Sequence, residues 1–431
     1  MEGIPTDRCL YPHSRSEVGY VLNPFMKAGT LWGLKDHPYA INSWGLRGGE
    51  IARKAPGRKR IVLVGDSWFF GWQLKDEDRL ESLMRSLLKD GAVEIVTVAL
   101  PGWNVRSEAA FLESRMEVLD PDVVVWEICP NDMWEVGGVI PPGGLSWAFS
   151  PQNGDPDRNA FTVMHDPLPL MPFVLDRHRE NVSRMDEVRR DYGIAVLAAP
   201  VDVPPAQWSF VAGERAARLP TRFIPPAYAS DRTGWIAEHD SHPNRLMNER
   251  MALGYLAKIA EMGIVRPLTF DADQQAVVRE WDRANSRSAS PEEVAAYLQS
   301  VMDQVPEAYA GAEDFRRVAA GMDEDGRMGR HGLLYLRTAS AQTAIHLELD
   351  VLGYAPRYRR ELKVTARSFE REETAATATY SAAAQRVTCR VPIPAAPSRY
   401  PVLEVEWLFN SDECADPTGC TAARLVRAYS Q

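Results

Sequence analysis

The chain has 431 residues, of which 45% are hydrophobic, so it is long enough to bury a core in more than one domain. Its formal net charge of −10 at pH 7 argues against nucleic acid or an anionic membrane surface as the main partner. No apolar run approaches the ~18 residues that a membrane span requires, and the N-terminus lacks the apolar segment of a secretory signal, which together predict a cytoplasmic protein.

Residues 1–57 are rich in glycine, proline and aromatic residues and show little periodicity. We expect them to form an N-terminal extension that packs on the domain that follows. Within this extension, Arg47 and Glu50 are interpreted as an ordinary surface pair.

From residue 58 onward, apolar runs alternate with amphipathic stretches. The runs predict strands at residues 61–64, 93–100, 122–128 and 194–199. Helical spacing predicts helices at residues 77–88, 107–119, 173–192 and 244–262. Continuous apolar strands between helices are typical of a parallel sheet that is covered on both faces. The pattern therefore predicts a three-layer α/β domain over residues 58–268, with sites at the carboxyl ends of its strands.

Three stretches depart from this alternation. Residues 133–172 are rich in loop-forming residues and too long for an ordinary connection, so they are a candidate lid or substrate loop. Residues 269–330 are predicted to form a helical linker. Six short alternating segments predict a small antiparallel β-sandwich over residues 331–431, with strands at residues 333–338, 343–354, 360–369, 386–394, 401–409 and 422–430. This accessory domain is a candidate for carbohydrate binding, for bracing the α/β domain or for homo-oligomer formation, and its architecture does not choose among them.

Four short polar segments follow predicted strand ends or precede the last predicted helix. They are Gly65-Asp66-Ser67, Pro101-Gly102, Asn131-Asp132 and Asp240-Ser241-His242-Pro243-Asn244. Each alone has an ordinary structural interpretation, such as a helix N-cap for the first. Because the carboxyl ends of parallel strands meet at one edge of a sheet, their shared placement instead predicts a single site.

The residue types in these segments suit acyl transfer. Ser67, at a strand-to-helix turn, would expose its hydroxyl as a nucleophile. Asp240 lies two residues before His242, so its carboxylate can fold back onto the imidazole and stabilise the imidazolium that forms when His242 accepts the serine proton. The backbone N–H groups of Ser67 and Gly102 and the side-chain amide of Asn131 would then form a three-donor oxyanion hole.

In order and placement, the stretches "VGDSWFFG", "VALPGWNV", "CPND" and "DSHPN" resemble the four sequence blocks of the SGNH or GDSL hydrolases. The resemblance covers roughly residues 58–265. It implies a flavodoxin-like parallel sheet. The roles that it implies are nucleophile for Ser67, base for His242, orienting acid for Asp240 and oxyanion donors for Gly102 and Asn131.

Three departures from the family pattern leave the substrate class open, one of which is Thr97, where the second block often has asparagine. Cys129 stands where the third block usually begins with glycine, and it is interpreted as a buried structural thiol. The acid and base are spaced DxH rather than DxxH, which also resembles some polysaccharide O-acetyltransferases and esterases of the same superfamily. His239, beside Asp240, is an alternative base.

Aromatic residues cluster beside the four blocks, and most are interpreted as core. Trp68, Trp103 and Trp134 are candidates for a substrate pocket that holds a sugar ring, an aryl group or an acyl chain.

The sequence therefore predicts a serine-dependent carboxylic-ester hydrolase that acts on a sugar or small-metabolite ester. Two alternatives stay open. One is an O-acyltransferase that uses the same acyl-enzyme with an alcohol or sugar acceptor, and the other is a non-catalytic glycan- or metabolite-binding protein. No CxxC or HxxxH spacing is present, so neither a metal nor a cofactor is expected.

Overall fold

The fold is described from a computed structural model. The structure describes residues 10–15, 17–24, 39–88, 91–129, 172–201, 203–238, 240–303, 308–309, 319–322, 327–338, 343–351, 360–368, 373–380, 386–393, 402–410 and 423–430. These residues fall into two compact units, one within residues 1–149 and 178–290 and the other within residues 150–177 and 291–431. In the described ranges, no helix combines the length and apolar composition needed to cross a membrane.

The first unit begins with a short antiparallel hairpin of β1 (Leu10–Pro12) and β2 (Tyr20–Leu22). All three residues of β2 are buried. Gly45 approaches this strand closely, because its carbonyl oxygen accepts the N–H of Leu22 at 2.9 Å. A Cβ at Gly45 would lie 2.4 Å from the Leu22 oxygen, and its φ of +74° also favours glycine. Residues 20–22 and 45 of the N-terminal extension are therefore packed against each other within the first unit.

A four-stranded parallel sheet forms the centre of the first unit. Its strands are β3 (Lys59–Gly65), β4 (Val93–Ala99), β5 (Val123–Ile128) and β6 (Ala195–Pro200). Their order across the sheet is β4-β3-β5-β6, and all neighbours are parallel. Every residue of β5 is buried, as expected for a strand covered on both faces. The predicted α/β architecture with a parallel sheet is confirmed.

Helices and a second hairpin surround this sheet. The helices are α1 (Ser67–Phe70), α2 (Leu80–Leu88), α3 (Val105–Leu119), α4 (Pro172–Tyr192), α5 (Pro205–Ala212), α6 (Pro226–Ala229), α7 (Arg245–Glu261) and α8 (Ala272–Ala284). The hairpin consists of β7 (Trp235–Ala237) and β8 (Asp240–Pro243). Because β4 and β5 flank β3 on opposite sides, right-handed connections place α2 and α3 on opposite faces of the sheet.

The described part of the second unit contains a helix and an antiparallel sheet. The helix is α9 (Pro291–Met302). The strands are β9 (Ala308–Tyr309), β10 (Ala319–Met322), β11 (Arg327–Arg337), β12 (Ala344–Val351), β13 (Arg360–Ser368), β14 (Glu373–Tyr380), β15 (Arg386–Pro392), β16 (Val402–Asn410) and β17 (Ala423–Ser430). Seven of them follow the order β14-β13-β16-β11-β17-β12-β15, with β10 on β11 and β9 on β17. The β-sandwich and its accessory role stay predictions.

Close packing of α7 on α8 depends on Gly254. A Cβ at this position would lie 2.3 Å from the indole of Trp281, which is fully buried and has no room to swing aside. We expect Gly254→Val to lower the free energy of unfolding by about 3 kcal/mol through overpacking, as measured by urea denaturation. Gly49→Val is the control, because Gly49 is exposed and nothing lies within 4 Å of its Cβ position. Equal losses in the two variants would contradict this account.

Candidate active site

The carboxyl ends of β3 and β4 bring two of the polar segments together. Gly65, the last residue of β3, is in register with Ala99, the last residue of β4. The N–H of Leu100 donates to the carbonyl oxygen of Gly65 at 3.3 Å. Ser67 follows β3 and Gly102 follows β4, so both residues come from adjoining strand ends.

Ser67, His242 and Asp240 form a continuous chain of hydrogen bonds. Ser67 Oγ lies 2.8 Å from His242 Nε2, although 175 residues separate them in the sequence. His242 Nδ1 lies 2.5 Å from Asp240 Oδ1, which also accepts the backbone N–H of His242 at 3.1 Å. The His242 and Asp240 side chains are 26% and 27% exposed, so solvent and small molecules can reach them. The structure thus brings these three predicted residues together.

The β7–β8 hairpin and α7 hold His242 in place. Asp240 and His242 both lie in β8, two residues apart, so their side chains leave the strand on the same side. Asn244 follows immediately as the N-cap of α7, where its side chain accepts the N–H of Met247 at 3.2 Å. The Asn244 amide also donates to the carbonyl oxygens of Thr233 and Trp235 at 2.7 and 2.9 Å. Asn244 therefore ties β7, the partner strand of β8, to the helix that follows His242.

The first turn of α1 leaves one backbone donor open. The side chain of Asp66 caps the helix and accepts the N–H of Trp68 at 3.2 Å. The N–H of Phe69 donates to Glu127 Oε2 at 3.2 Å. Within the described residues, no acceptor takes the N–H of Ser67. Of the donors at the start of this helix, the Ser67 N–H is therefore available to a ligand.

Gly102 offers a second open donor beside it. Its φ of +79° is a left-handed conformation that favours glycine. The next residue, Trp103, turns back and donates its N–H to the Leu100 carbonyl oxygen at 3.0 Å, whereas the Gly102 N–H has no acceptor among the described residues. Tyr20 stabilises this turn, because its hydroxyl donates to the carbonyl oxygen of Pro101 at 2.6 Å.

Several predicted residues lie outside the described residues. They are Asn131, Asp132, Trp134, His239 and residues 133–171 of the candidate lid or substrate loop. The roles proposed for them stay predictions.

Two tryptophans differ from their predicted place in a pocket wall. Trp103 is fully buried, with its indole N–H donating to the carbonyl oxygen of Tyr20 at 3.0 Å and its ring 5.1 Å from that of Phe111. Trp68 is only 9% exposed. Both side chains fill the core of the first unit, because the turn after each strand directs them inward.

Trp72 contacts the site instead, and no local pattern separates it from the other aromatic residues beside the four blocks. Its ring stacks on the imidazole of His242, with centroids 5.8 Å apart and an interplanar angle of 30°. Its backbone N–H donates to the carbonyl oxygen of Ser67 at 3.1 Å. Trp72 is half-buried and covers one face of the imidazole. The sequence signal that could have pointed to Trp72 is its place directly after Gly71, which ends α1 in a left-handed conformation.

Arg47 differs from the prediction of a surface pair with Glu50. The Arg47 side chain is 2% exposed, and it donates to the carbonyl oxygens of Gly71 and Leu74 at 2.7 and 2.6 Å and to Asp76 at 2.8 Å. Glu50 instead accepts hydrogen bonds from Ser43. Burial, and then the neighbouring charge of Arg79, lower the Arg47 pKa to about 10, so this guanidinium stays charged at neutral pH. Arg47 therefore anchors the turn that carries Trp72.

Loss of this anchor is expected to destabilise the first unit. Arg47→Met would leave several buried carbonyl oxygens without a donor, and we expect it to lower the free energy of unfolding by about 3 kcal/mol in urea denaturation. Arg53→Met is the matched control, because the Arg53 side chain is 67% exposed in its pair with Glu117. A change below about 0.5 kcal/mol is expected there. An Arg47 variant as stable as the Arg53 variant would contradict the anchoring role.

Two fully buried glutamates lie behind the site. Glu127 accepts the N–H of Asp66 at 3.1 Å and a hydrogen bond from the Cys129 thiol at 3.0 Å. Glu108 accepts the indole N–H of Trp126 at 2.6 Å. Burial raises the pKa of both glutamates well above the usual range, and the charge of Asp66 adds to this effect. In each glutamate, a hydrogen bond from Trp126 or Cys129 opposes the shift. Burial therefore favours the uncharged form of both side chains.

Asp66, Glu127 and Cys129 also form the group of potential metal ligands in the part of the chain that the structure describes. Their ligand atoms all lie within 4.8 Å of one another, and all three residues are buried. Glu127 Oε2 already accepts two backbone N–H groups, and Cys129 already donates to Glu127 Oε1. We interpret the group as an internal hydrogen-bonded cluster.

The fold and the geometry define a class of protein. It is an α/β protein with a parallel sheet, in which a serine at one strand end is hydrogen-bonded to an accessible His-Asp pair. In such an arrangement, His242 Nε2 can accept the Ser67 hydroxyl proton while Asp240 stabilises the resulting imidazolium.

No family model and no curated protein matches the chain. Among solved structures, TesA is 17% identical over 48% of this chain and all of its own length, with a TM-score of 0.34. AlinE4, an SGNH-hydrolase family esterase, is 18% identical over 49% of this chain and 96% of its own, with a TM-score of 0.29. A two-domain esterase active on acetylated mannans is 12% identical over 87% of this chain and 91% of its own, with a TM-score of 0.30. The chain is similar to these solved hydrolase and esterase structures.

Proposed function

We propose that the protein is a serine-dependent carboxylic-ester hydrolase. The observation that carries this proposal is the hydrogen-bonded chain from Ser67 Oγ through His242 to Asp240. In this chain, neutral His242 donates from Nδ1 to Asp240 and accepts the Ser67 hydroxyl proton at Nε2.

The first half of the reaction acylates Ser67. As Oγ attacks the ester carbonyl carbon, its proton passes to His242 Nε2 and a tetrahedral intermediate forms. When the intermediate collapses, the bond to the alcohol oxygen breaks and that oxygen takes the proton from His242. In the second half, water attacks the acyl-enzyme, His242 accepts the water proton, and the Ser67 oxygen regains a proton as the carboxylic acid leaves.

Backbone donors beside Ser67 would stabilise the negative oxygen of each intermediate. The open N–H groups of Ser67 and Gly102 support this role, since both follow adjoining strand ends. The side-chain amide of Asn131 is the proposed third donor. One such donor typically contributes about 3–4 kcal/mol of transition-state stabilisation.

We propose a sugar or small-metabolite ester as the substrate, with acyl transfer to an alcohol or sugar as the second candidate for the same acyl-enzyme. Trp72 supports a ring-bearing substrate, because its half-buried ring lies against the imidazole that protonates the leaving alcohol.

The test combines a serine-directed fluorophosphonate probe with hydrolysis of p-nitrophenyl acetate. The wild type is expected to label and to turn over, and Ser67→Ala to do neither. Product analysis with added alcohols or sugars separates the two candidates, since new esters indicate transfer and free acid indicates hydrolysis. A wild type that neither labels nor turns over, and that behaves as Ser67→Ala does, would favour the non-catalytic binding protein and end the proposal.

A further inference from the structure

One side chain holds the backbone on both sides of Ser67. Glu127 Oε2 accepts the N–H of Asp66, the residue before Ser67, at 3.1 Å. The same oxygen accepts the N–H of Phe69, two residues after Ser67, at 3.2 Å. A single carboxyl oxygen therefore ties together the end of β3 and the first turn of α1.

The fit of Glu127 under this turn depends on Gly65. Glu127 lies in β5, which pairs with β3, and Val64 is in register with Trp126. A Cβ at residue 65 would lie 2.1 Å from Glu127 Oε2. The carboxyl therefore occupies space that any other residue at position 65 would fill, and Glu127 itself is 1% exposed.

These contacts help to set the direction in which the Ser67 N–H points. The Asp66 carbonyl oxygen accepts the N–H of Phe70 at 3.0 Å, which fixes the peptide plane between Asp66 and Ser67. Because a trans peptide directs its C=O and N–H in opposite directions, the same plane sets where the Ser67 N–H points. Glu127 and the Asp66 side chain take the neighbouring N–H groups of Asp66, Trp68 and Phe69, and no acceptor among the described residues takes the Ser67 N–H.

We propose that Glu127 is a positioning residue that orients the Ser67 backbone N–H toward the oxyanion. This inference rests on the proposed function, because it assigns the Ser67 N–H to an ester-cleaving transition state. Glu127 does not contact the substrate or the reacting atoms, and it acts through the peptide planes of residues 66–69.

A neutral carbonyl oxygen can accept both of these N–H groups. Burial, reinforced by the charge of Asp66, raises the pKa of Glu127 well above its usual range. Glutamine has the same shape and carries no charge, and its carbonyl oxygen can accept both N–H groups. Methionine has a similar volume but supplies no such acceptor, so these two substitutions separate hydrogen bonding from packing.

The experiment compares Glu127→Gln and Glu127→Met with the matched pair Glu108→Gln and Glu108→Met. Glu108 is equally buried, and burial likewise raises its pKa, but its hydrogen bond goes to the indole of Trp126. The readouts are kcat and KM for p-nitrophenyl acetate and the rate of fluorophosphonate labelling. Glu127→Met is expected to lower kcat about 30- to 100-fold with KM within about threefold, and Glu127→Gln to keep kcat within about threefold of wild type.

Both Glu108 variants are expected to keep kcat within about twofold, even where they lower the melting temperature. A folded Glu127→Met protein with wild-type kcat would overturn the proposal, and so would a Glu108→Met protein with the same loss of kcat. If Glu127→Met does not fold, Glu127→Asp takes its place, because the shorter side chain withdraws the carboxyl from both N–H groups. Wild-type protein that does not label or turn over would instead count against the proposed function, since these comparisons presuppose wild-type activity.

Discussion

Ser67→Ala is expected to lower kcat for p-nitrophenyl acetate by at least about 10⁴-fold and to abolish fluorophosphonate labelling. The physical reason is that Ser67 Oγ, 2.8 Å from His242 Nε2, is the group that would form the covalent bond to the acyl carbon. The substitution removes one small, partly exposed oxygen, so the free energy of unfolding should stay within about 1 kcal/mol of wild type.

The same prediction covers His242→Ala and the double variant in which both Ser67 and His242 are replaced by alanine. Residues that act as one unit have non-additive effects, so the double variant should lose no more activity than either single variant. Losses that multiply in the double variant would mean that Ser67 and His242 act independently, which contradicts a shared proton transfer.

Asp240→Asn is expected to lower kcat by about 10³- to 10⁴-fold while the protein remains folded. Asp240 Oδ1 accepts hydrogen bonds from both Nδ1 and the backbone N–H of His242. An amide is neutral and can donate to the imidazole, which favours the wrong tautomer and gives less stabilisation to the imidazolium. The measurement is kcat for p-nitrophenyl acetate across pH 5–9.

Asp231→Asn is the matched control for this substitution. The Asp231 side chain is 27% exposed, as is that of Asp240, and it pairs with Arg250 at 2.8 Å rather than with His242. We expect its kcat to stay within about threefold of wild type. A comparable loss in both variants would mean that any charge change near β8 disturbs the site, and it would remove the specific role of Asp240.

The central sheet could be predicted because buried parallel strands have a direct signature. Their side chains are apolar on both faces, so the runs at residues 61–64 and 122–128 stand out from the amphipathic helices between them. In the second unit, β14 (Glu373–Tyr380) was missed, because its sequence "ETAATATY" has small residues and lacks alternating large apolar ones. Its pairing with β13 is a long-range contact that local sequence does not report.

The candidate catalytic residues could be predicted for a similar reason. The contacts that hold them in place could not. Ser67, Asp240 and His242 stand in short segments whose residue types suit one reaction, and the parallel sheet brings such segments to one edge. The anchoring by Arg47 depends on two carbonyl groups and a carboxylate, 24 to 29 residues away, that converge only after folding. Likewise, nothing in the local pattern separates the buried Trp103 from the half-buried Trp72, which lies on His242.

Because 175 residues separate Ser67 from His242, enzymatic activity is expected to appear late in folding. Closing a loop of this length costs about 5 kcal/mol of chain entropy, so the contact forms only when the intervening structure already brings its ends together. During synthesis, the turn that carries the nucleophile leaves the ribosome long before its base. Regain of esterase turnover after dilution from denaturant should therefore follow the recovery of secondary structure, and activity would report the last step of folding in the first unit.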